Sequence, residues 1–298
     1  MSLVERALKK LQESAQPATE RTQAPPVRAA GQVQRAAPVQ PTQTHAVEPP
    51  GHIVNIDRGV LREMKLLPPP RLERNIANQY QQIKRALVAA AGQDNGAIPD
   101  GHLVMLTSAL PGEGKTYTSI NLALSLALEK DLDVLLVDAD VAKPHISRLL
   151  GVDQEPGLLD LLTNTELHAD SVILRTNVPG LSLLSAGRRL ETATELLASQ
   201  RMQDVVRELL GHDGKRIVLF DSPPLLLSTE SRALVPSVGQ VLLIVRAEST
   251  PQSAVMQAID AAGESRPISL VLNQSSMAPS DGYYGYGAYG DAAQEAAV

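Results

Sequence analysis

From residue 102 onward, short apolar runs alternate with amphipathic segments of helical length. The runs have the length and composition of strands that are covered on both faces. Repeated strand–helix–strand order predicts an α/β fold, with a mostly parallel central sheet and helices on both faces. The predicted strands are His102–Thr107, Val134–Val137, Leu181–Ser185, Ile217–Phe220, Val241–Val245 and Ile268–Leu272, and the predicted helices are Leu72–Ala90, Lys115–Leu128, Glu195–Leu210 and Gln252–Ala262.

The first 51 residues follow a different pattern. Apolar residues near the N-terminus recur at helical spacing and predict one short amphipathic helix, either a frayed tail or a docking peptide for a partner or a membrane surface. Residues 14–50 are mainly Pro, Ala, Gln and Thr, which predicts a disordered linker. We therefore divide the chain into residues 1–51, an α/β domain at 52–278 and a tail at 279–298. The apolar positions of the predicted helix are Leu3, Val4, Ala7, Leu8 and Leu11.

Composition narrows the function classes. The 298 residues include no Cys, which excludes a disulfide scaffold and a Cys nucleophile and is typical of a reducing compartment. No apolar run approaches the roughly 20 residues that span a bilayer, and charges interrupt the N-terminus, so we expect a cytosolic protein without a signal peptide.

Charge is divided unevenly along the chain. Residues 1–99 carry 13 Lys and Arg against 8 Asp and Glu, whereas residues 100–298 carry 14 Lys and Arg against 25 Asp and Glu. The basic half suits an anionic membrane face or an acidic subunit. No basic patch is interleaved with aromatics, so nucleic acid is not an expected partner, and the six His lack metal-ligand spacing.

The loop after the first predicted strand carries a phosphate-binding pattern. It matches G-x-x-x-x-G-K-[ST] except that Ala109 replaces the first glycine. Glycines let backbone amides approach a triphosphate, Lys115 can reach its outer phosphates, and the Thr116 hydroxyl can bind Mg²⁺. The setting between a strand and a helix favours a P-loop over a structural turn. The candidate nucleotide-binding residues of this loop are Pro111, Gly112, Glu113, Gly114, Lys115 and Thr116.

Carboxylates follow two further predicted strands. Asp138 and Asp140 come directly after one, and Asp221 directly after another. A single Asp at a strand end commonly caps a helix or forms a turn. Three carboxylates beside one P-loop favour metal binding or catalysis. Glu230 is open between orienting water or metal and a structural role at a helix N-terminus.

Four of the six tyrosines lie within seven residues near the C-terminus, separated by glycines. Glycine keeps such a segment mobile, so several tyrosines could visit one active site in turn. The alternative is a low-complexity tail without chemistry. Tyr80 and Tyr117 we expect to be packing residues rather than acceptors. The candidate phosphoacceptors are Tyr283, Tyr284, Tyr286 and Tyr289.

The combination of S-x-x-P-G-E-G-K-T, V-D-A-D followed by K-P, F-D-S-P-P and a tyrosine-rich tail resembles the bacterial tyrosine kinases, and more closely the autokinases of exopolysaccharide and exosortase systems. The resemblance implies a deviant-Walker P-loop fold of the MinD/ParA type. It also implies ATP and Mg²⁺ as cofactors, and transfer of the γ-phosphoryl group to tyrosines of a neighbouring subunit's tail. It matches Lys115 and Thr116 to the Walker A motif, Asp138 and Asp140 to Walker A′ and Asp221 to Walker B. We therefore expect Lys115, Asp138, Asp140 and Asp221 to act in catalysis, and Thr116, Asp140 and Asp221 to hold Mg²⁺. By their positions after the P-loop and at a strand end, Tyr117 and Asn273 are further candidates for nucleotide binding, and for Asn273 a turn-shaping role stays open.

The resemblance further implies a homo-oligomer, a tyrosine phosphatase counterpart and a membrane polysaccharide co-polymerase as activator and anchor at the cytoplasmic face of the inner membrane. Two departures from the family pattern bear on this. Ala142 stands where many members have Arg. The positions that usually carry a Glu and two Arg for a ring-shaped oligomer are here Asn78, Gln81 and Lys84, and we expect Lys84 either on a solvated face or against a neighbouring subunit. Rival interpretations are a MinD/ParA-like ATPase switch, whose signature lysine is absent at Leu110 and Pro111, and an ATP-binding regulator of a co-polymerase without kinase activity.

Overall fold

The computed structural model describes residues 53–92, 98–211 and 214–275. The predicted N-terminal helix and linker, the tyrosine cluster and the proposed division at residues 51 and 278 lie outside the described residues. Within those ranges, no helix is both long and apolar enough to cross a bilayer.

The core of the molecule is a seven-stranded sheet in the order β3-β4-β2-β5-β1-β6-β7. All neighbouring strands are parallel except β3 and β4. This confirms the predicted fold class, and it brings the carboxyl ends of the parallel strands to one edge of the sheet. The strands are β1 Leu103–Ser108, β2 Asp133–Asp138, β3 Leu174–Arg175, β4 Leu181–Leu184, β5 Arg216–Asp221, β6 Gln240–Arg246 and β7 Ile268–Asn273.

Helices cover both faces of this sheet, because its strands are apolar on both sides. Leu103 and Met105 face one hydrophobic core, which includes helices α8 and α10. Val104 and Leu106 face the other, which includes α2 and α3. The helices are α1 Arg58–Glu63, α2 Glu73–Ala91, α3 Lys115–Leu126, α4 His145–Leu149, α5 Leu158–Thr163, α6 Ala169–Val172, α7 Ala193–Leu197, α8 Gln200–Leu210, α9 Thr229–Leu234 and α10 Gln252–Ala262, with 3₁₀ turns at Pro70–Leu72 and Val235–Ser237.

Two of the expected elements are wrong in detail. The helix predicted over 195–210 is two helices, because the Ser199 hydroxyl accepts a hydrogen bond from Met202 N and begins α8 afresh. The last strand, expected to be buried on both faces, leaves Leu270 and Leu272 56% and 65% exposed. It is the outermost strand described beside β6, and an apolar run alone does not distinguish an edge strand from a central one.

Helix α2 buries Lys84, which was expected either on a solvated face or against a neighbouring subunit. Only 4% of this residue is exposed, and its ammonium group lies 2.6 Å from Glu129 Oε1 of the same chain. The expectation of a solvated face for Lys84 is therefore wrong, its contact with a neighbouring subunit stays a prediction, and Arg85 beside it is exposed. Tyr80 is buried in the same helix, which confirms its packing role, and burial raises the pKa of its phenol.

Candidate active site

The loop from residue 109 to 114 connects β1 to α3 at the carboxyl edge of the sheet. Gly114 has φ +94°, and a Cβ there would lie 2.1 Å from Asn273 Nδ2, so only glycine fits. Helix α3 begins at Lys115, and Lys115 and Thr116 are half-buried in its first turn. The amides and partial positive charge of a helix N-terminus are thereby presented next to a lysine, as phosphate binding requires.

The buried side chain of Glu113 stabilises this loop through hydrogen bonds. The residue is 2% exposed, its Oε2 accepts a hydrogen bond from Leu110 N at 2.7 Å, and its Oε1 accepts one from the Thr250 hydroxyl. The side chain of Glu113 is thus used within the protein and is not free to bind a ligand. Thr250 follows β6 and was not foreseen, since no local pattern links residues so far apart in the sequence.

Asn273 lies against the same loop, at the end of β7. Its Nδ2 donates to Glu113 O at 2.8 Å, and its Oδ1 accepts from Gln274 N at 2.9 Å. Both polar atoms of the Asn273 side chain are therefore hydrogen-bonded to backbone groups, and its contact with adenine stays a prediction. Tyr117 is half-buried on α3, and burial raises the pKa of its phenol.

Asp221 ends β5 with both carboxylate oxygens bonded. The residue is 2% exposed, and the hydroxyls of Thr116 and Ser119 donate to Oδ2 and Oδ1, each at 2.8 Å. Burial raises the pKa of Asp221, while these hydroxyls and the charge of Lys115 act in the opposite direction. Ser119 was missed in the sequence, although it lies three residues after Thr116 and so on the same face of a helix.

Asp138 ends β2, in register with Asp221 on the neighbouring strand. It is fully buried, and its Oδ2 accepts hydrogen bonds from the amide and the hydroxyl of Ser147, both at 2.7 Å. Its other oxygen, Oδ1, is buried without a hydrogen-bond partner among the described residues. Burial raises the pKa of Asp138 to about 7. The bonds from Ser147 were also not foreseen.

Asp140 lies two residues beyond, where its Oδ1 accepts a hydrogen bond from Lys143 N at 3.0 Å. Burial raises its pKa; the bond from Lys143 and the charge of Lys115 oppose this, and the charge of Glu230 adds to it. Glu230 stands in the first turn of α9 and accepts from the Ser228 hydroxyl at 2.7 Å, which lowers the pKa of Glu230. Glu230 is therefore within electrostatic reach of the predicted site.

The donors on this edge fit a magnesium ion. In the described ranges no three His, Cys, Asp or Glu side chains cluster tightly enough to hold a metal unaided. The Thr116 hydroxyl and the Asp221 carboxylate do touch, and they are hard oxygen donors. Mg²⁺ characteristically takes one or two such ligands and completes its shell with water and substrate phosphates.

A P-loop after β1, a lysine opening α3 and aspartates ending β2 and β5 define a P-loop nucleotide-binding domain. The family model described as an AAA domain matches residues 103–262. The chain is 30% identical to the VpsO kinase domain, with a TM-score of 0.56, over 69% of this chain and 98% of that one. The chain is also 27% identical to the kinase domain of the Escherichia coli tyrosine kinase ETK, with a TM-score of 0.55. That match covers 70% of this chain and 80% of the ETK kinase domain. The chain belongs to the AAA domain family and, within it, to the bacterial tyrosine kinases.

Full-length relatives extend well beyond the matched region. The chain is 33% identical over 203 residues to the EpsB protein of Ralstonia nicotianae, which covers 68% of this chain and 26% of EpsB. The chain thus spans about a quarter of that relative, and the activity and partners of whole relatives do not transfer directly.

Proposed function

We propose that this protein is an ATP-dependent tyrosine autokinase, which phosphorylates the tyrosines at 283–289 of another copy and regulates exopolysaccharide synthesis or export. The observation that carries the proposal is the buried, unbonded Oδ1 of Asp138 beside a P-loop, on a carboxyl group whose pKa is raised to about 7. A base with a pKa near the working pH is suited to take a proton from a phenol. The family membership and the tyrosine-rich tail agree with it.

The P-loop amides and Lys115 would bind the phosphates of ATP, with Lys115 offsetting charge on the transferred group. Thr116, Asp221 and Asp140 would hold Mg²⁺, directly or through water. When bound, the ion supplies further neutralisation of phosphate charge. The Thr116–Asp221 hydrogen bond already places two of these groups together.

In the chemical step, the phenolic oxygen of a tail tyrosine bonds to the γ-phosphorus. The bond from that phosphorus to the bridging oxygen of ADP breaks, and the phenolic proton passes to Asp138 Oδ1. Because a free phenol has a pKa near 10, this transfer to a carboxylate is what makes the oxygen nucleophilic at neutral pH. Asp138 is fully buried, so the residues that cover it must move aside when the tail enters.

The division of the chain follows from this proposal. Residues 52–278 would form the kinase domain, residues 279–298 the acceptor tail, and residues 1–51 a linker and docking segment. A membrane polysaccharide co-polymerase would activate the kinase and anchor it at the cytoplasmic face, homo-oligomerisation would present the tail, and a tyrosine phosphatase would reverse the reaction. The exposed Arg85 leaves a cation on α2 for such an interface.

The proposal is tested by intact-mass analysis of the purified protein after incubation with ATP and Mg²⁺. We expect added phosphate in the wild type and none in Lys115→Met, because that variant loses the lysine that contacts the phosphates. Lys130→Met, which changes an exposed lysine in the turn before β2, away from the carboxyl edge of the sheet, is the matched control. Rapid ATP hydrolysis without any added phosphate would instead identify an ATPase switch.

A further inference from the structure

A basic pocket lies next to the proposed active site and has no part in the chemistry described above. It is a cavity of about 240 Å³ beyond the carboxyl ends of β2 and β4. Its charged lining consists of three arginines and one carboxylate, which are Arg148, Arg188, Arg189 and Asp153.

Arg188 is held in place by a buried carboxylate. Asp160 Oδ1 accepts a hydrogen bond from Arg188 Nε at 3.0 Å, and Asp160 Oδ2 accepts from the amides of Gly157 and Arg188. Gly187 has φ +78°, and a Cβ there would lie 2.4 Å from Asp160 Oδ2, so the turn requires glycine. Since Asp160 uses only Nε, the two terminal nitrogens of this oriented guanidinium remain for a ligand.

The other two arginines have no competing partner. Arg148 and Arg189 are exposed, and neither side chain forms a hydrogen bond or ion pair with any residue in 53–92, 98–211 or 214–275. Asp153 is engaged by Gln154, whose Nε2 donates to it at 3.0 Å. The pocket therefore carries an excess of positive charge, in forked groups that match phosphate oxygens.

The walls of the pocket are continuous with the residues around Asp138. Ser147, which donates to Asp138, directly precedes Arg148, and the Ser147 hydroxyl also accepts a hydrogen bond from Ala186 N at 3.1 Å. Ala186 is followed by Gly187 and Arg188. A group bound by these arginines would thus lie beside the place where the tail tyrosines are proposed to react.

We propose that this pocket binds a phosphotyrosine of another copy's tail, and so holds a partly phosphorylated tail while its next tyrosine enters the site. Charge complementarity supports the tail as occupant, because residues 276–298 contain Asp281, Asp291 and Glu295 but no Lys or Arg. Each phosphate adds further negative charge and three acceptor oxygens. The choice of a phosphotyrosine as the ligand rests on the proposed function, whereas the pocket and its arginines are observed independently of it.

The test uses full-length Lys115→Met protein without ATP, so that no catalysis is needed. Its ligand is a synthetic peptide of residues 279–291 with phosphotyrosine at position 286, compared by calorimetry with the unphosphorylated peptide and with inorganic phosphate. We expect the phosphopeptide to bind at least about tenfold more tightly than either, because charge-assisted arginine–phosphate bonds then act together with the peptide.

The matched variants separate this pocket from general charge. Arg148→Gln combined with Arg189→Gln keeps the Asp160–Arg188 pair, and we expect it to weaken phosphopeptide binding about tenfold or more. Arg74→Gln combined with Arg207→Gln removes the same charge from exposed positions on α2 and α8 and should leave binding unchanged. Equal affinity for both peptides, equal affinity for inorganic phosphate, or full affinity in the Arg148/Arg189 variant would each overturn the proposal. None of these outcomes depends on whether the wild type phosphorylates itself.

Discussion

Asp138 and Asp221 occupy equivalent places on neighbouring strands, yet their surroundings differ. Both end a parallel strand, they are in register, and both are buried. Asp221 has a hydroxyl on each oxygen. Asp138 has two donors on one oxygen and none on the other among the described residues. Full hydrogen bonding stabilises a fixed carboxylate, as a ligand requires, whereas an unbonded oxygen keeps a proton affinity that a base can use.

The largest expected difference between the two aspartates is in catalysis. Asp138→Asn should slow tail phosphorylation by about 10²–10⁴-fold, the usual contribution of a general base, while nucleotide affinity stays close to that of the wild type. Asp221→Asn should instead weaken Mg²⁺-dependent nucleotide binding, because it removes a carboxylate beside Thr116. Single-turnover transfer and fluorescent-nucleotide titration measure the two effects. If both variants lost transfer rate and nucleotide affinity to a similar extent, the proposed difference between a base at Asp138 and a metal ligand at Asp221 would be contradicted.

The next effect is on stability as a function of pH. Burial raises the pKa of Asp138 from 3.8 to about 7, so between these values the native state keeps a proton that the unfolded chain has lost. The free energy of unfolding therefore falls as pH rises through this window. Asp138→Asn removes this dependence, and between pH 5 and pH 8 it should gain about 3 kcal/mol relative to the wild type, at 1.36 kcal/mol per pH unit.

Urea unfolding in EDTA without nucleotide checks this difference. Asp133→Asn changes an exposed carboxylate at the other end of the same strand and should follow the wild-type pH profile. A wild-type profile parallel to that of Asp138→Asn would show that Asp138 is ionised throughout.

The smallest effect concerns the serines that donate to the two carboxylates. Ser119→Ala leaves Asp221 Oδ1 without its donor and should cost about 1–2 kcal/mol of unfolding free energy. Ser147→Ala should cost about the same or more, because it also removes the acceptor of Ala186 N. Ser253→Ala, exposed on α10, should stay within about 0.5 kcal/mol of the wild type by thermal or urea unfolding. If Ser119→Ala were as mild as that control, the bond to Asp221 would not be a stabilising one.

The contrast between Asp138 and Asp221 also shows how far the sequence leads. Strand–loop–helix order and the aspartates at strand ends predict where Lys115, Asp138 and Asp221 meet, because parallel strands present their carboxyl ends at one edge. The sequence does not reveal that Ser147 bonds to Asp138, since that contact depends on how the loop after β2 folds back. The hydrogen bonds of the buried Glu113 side chain and the contact of Asn273 with the P-loop were not predicted either, because they also depend on how segments distant in sequence come together.

Burial at the edges of the fold was equally hard to predict. The run at 268–272 is as apolar as a central strand, and its exposure follows only from the strand order. Lys84 is a charge on an amphipathic helix, which is typically solvated, and its burial depends on Glu129 from the segment after α3.

The most direct test of the proposed activity mixes wild-type protein with Lys115→Met protein that carries a distinguishing isotope label. Mass spectrometry after incubation with ATP and Mg²⁺ then locates phosphate on each copy. We predict phosphotyrosine at positions 283–289 of the labelled, inactive copy, which requires transfer between subunits. Phosphate confined to the wild-type copy would contradict transfer in trans, and its absence from both copies while ATP is consumed would contradict the kinase activity itself.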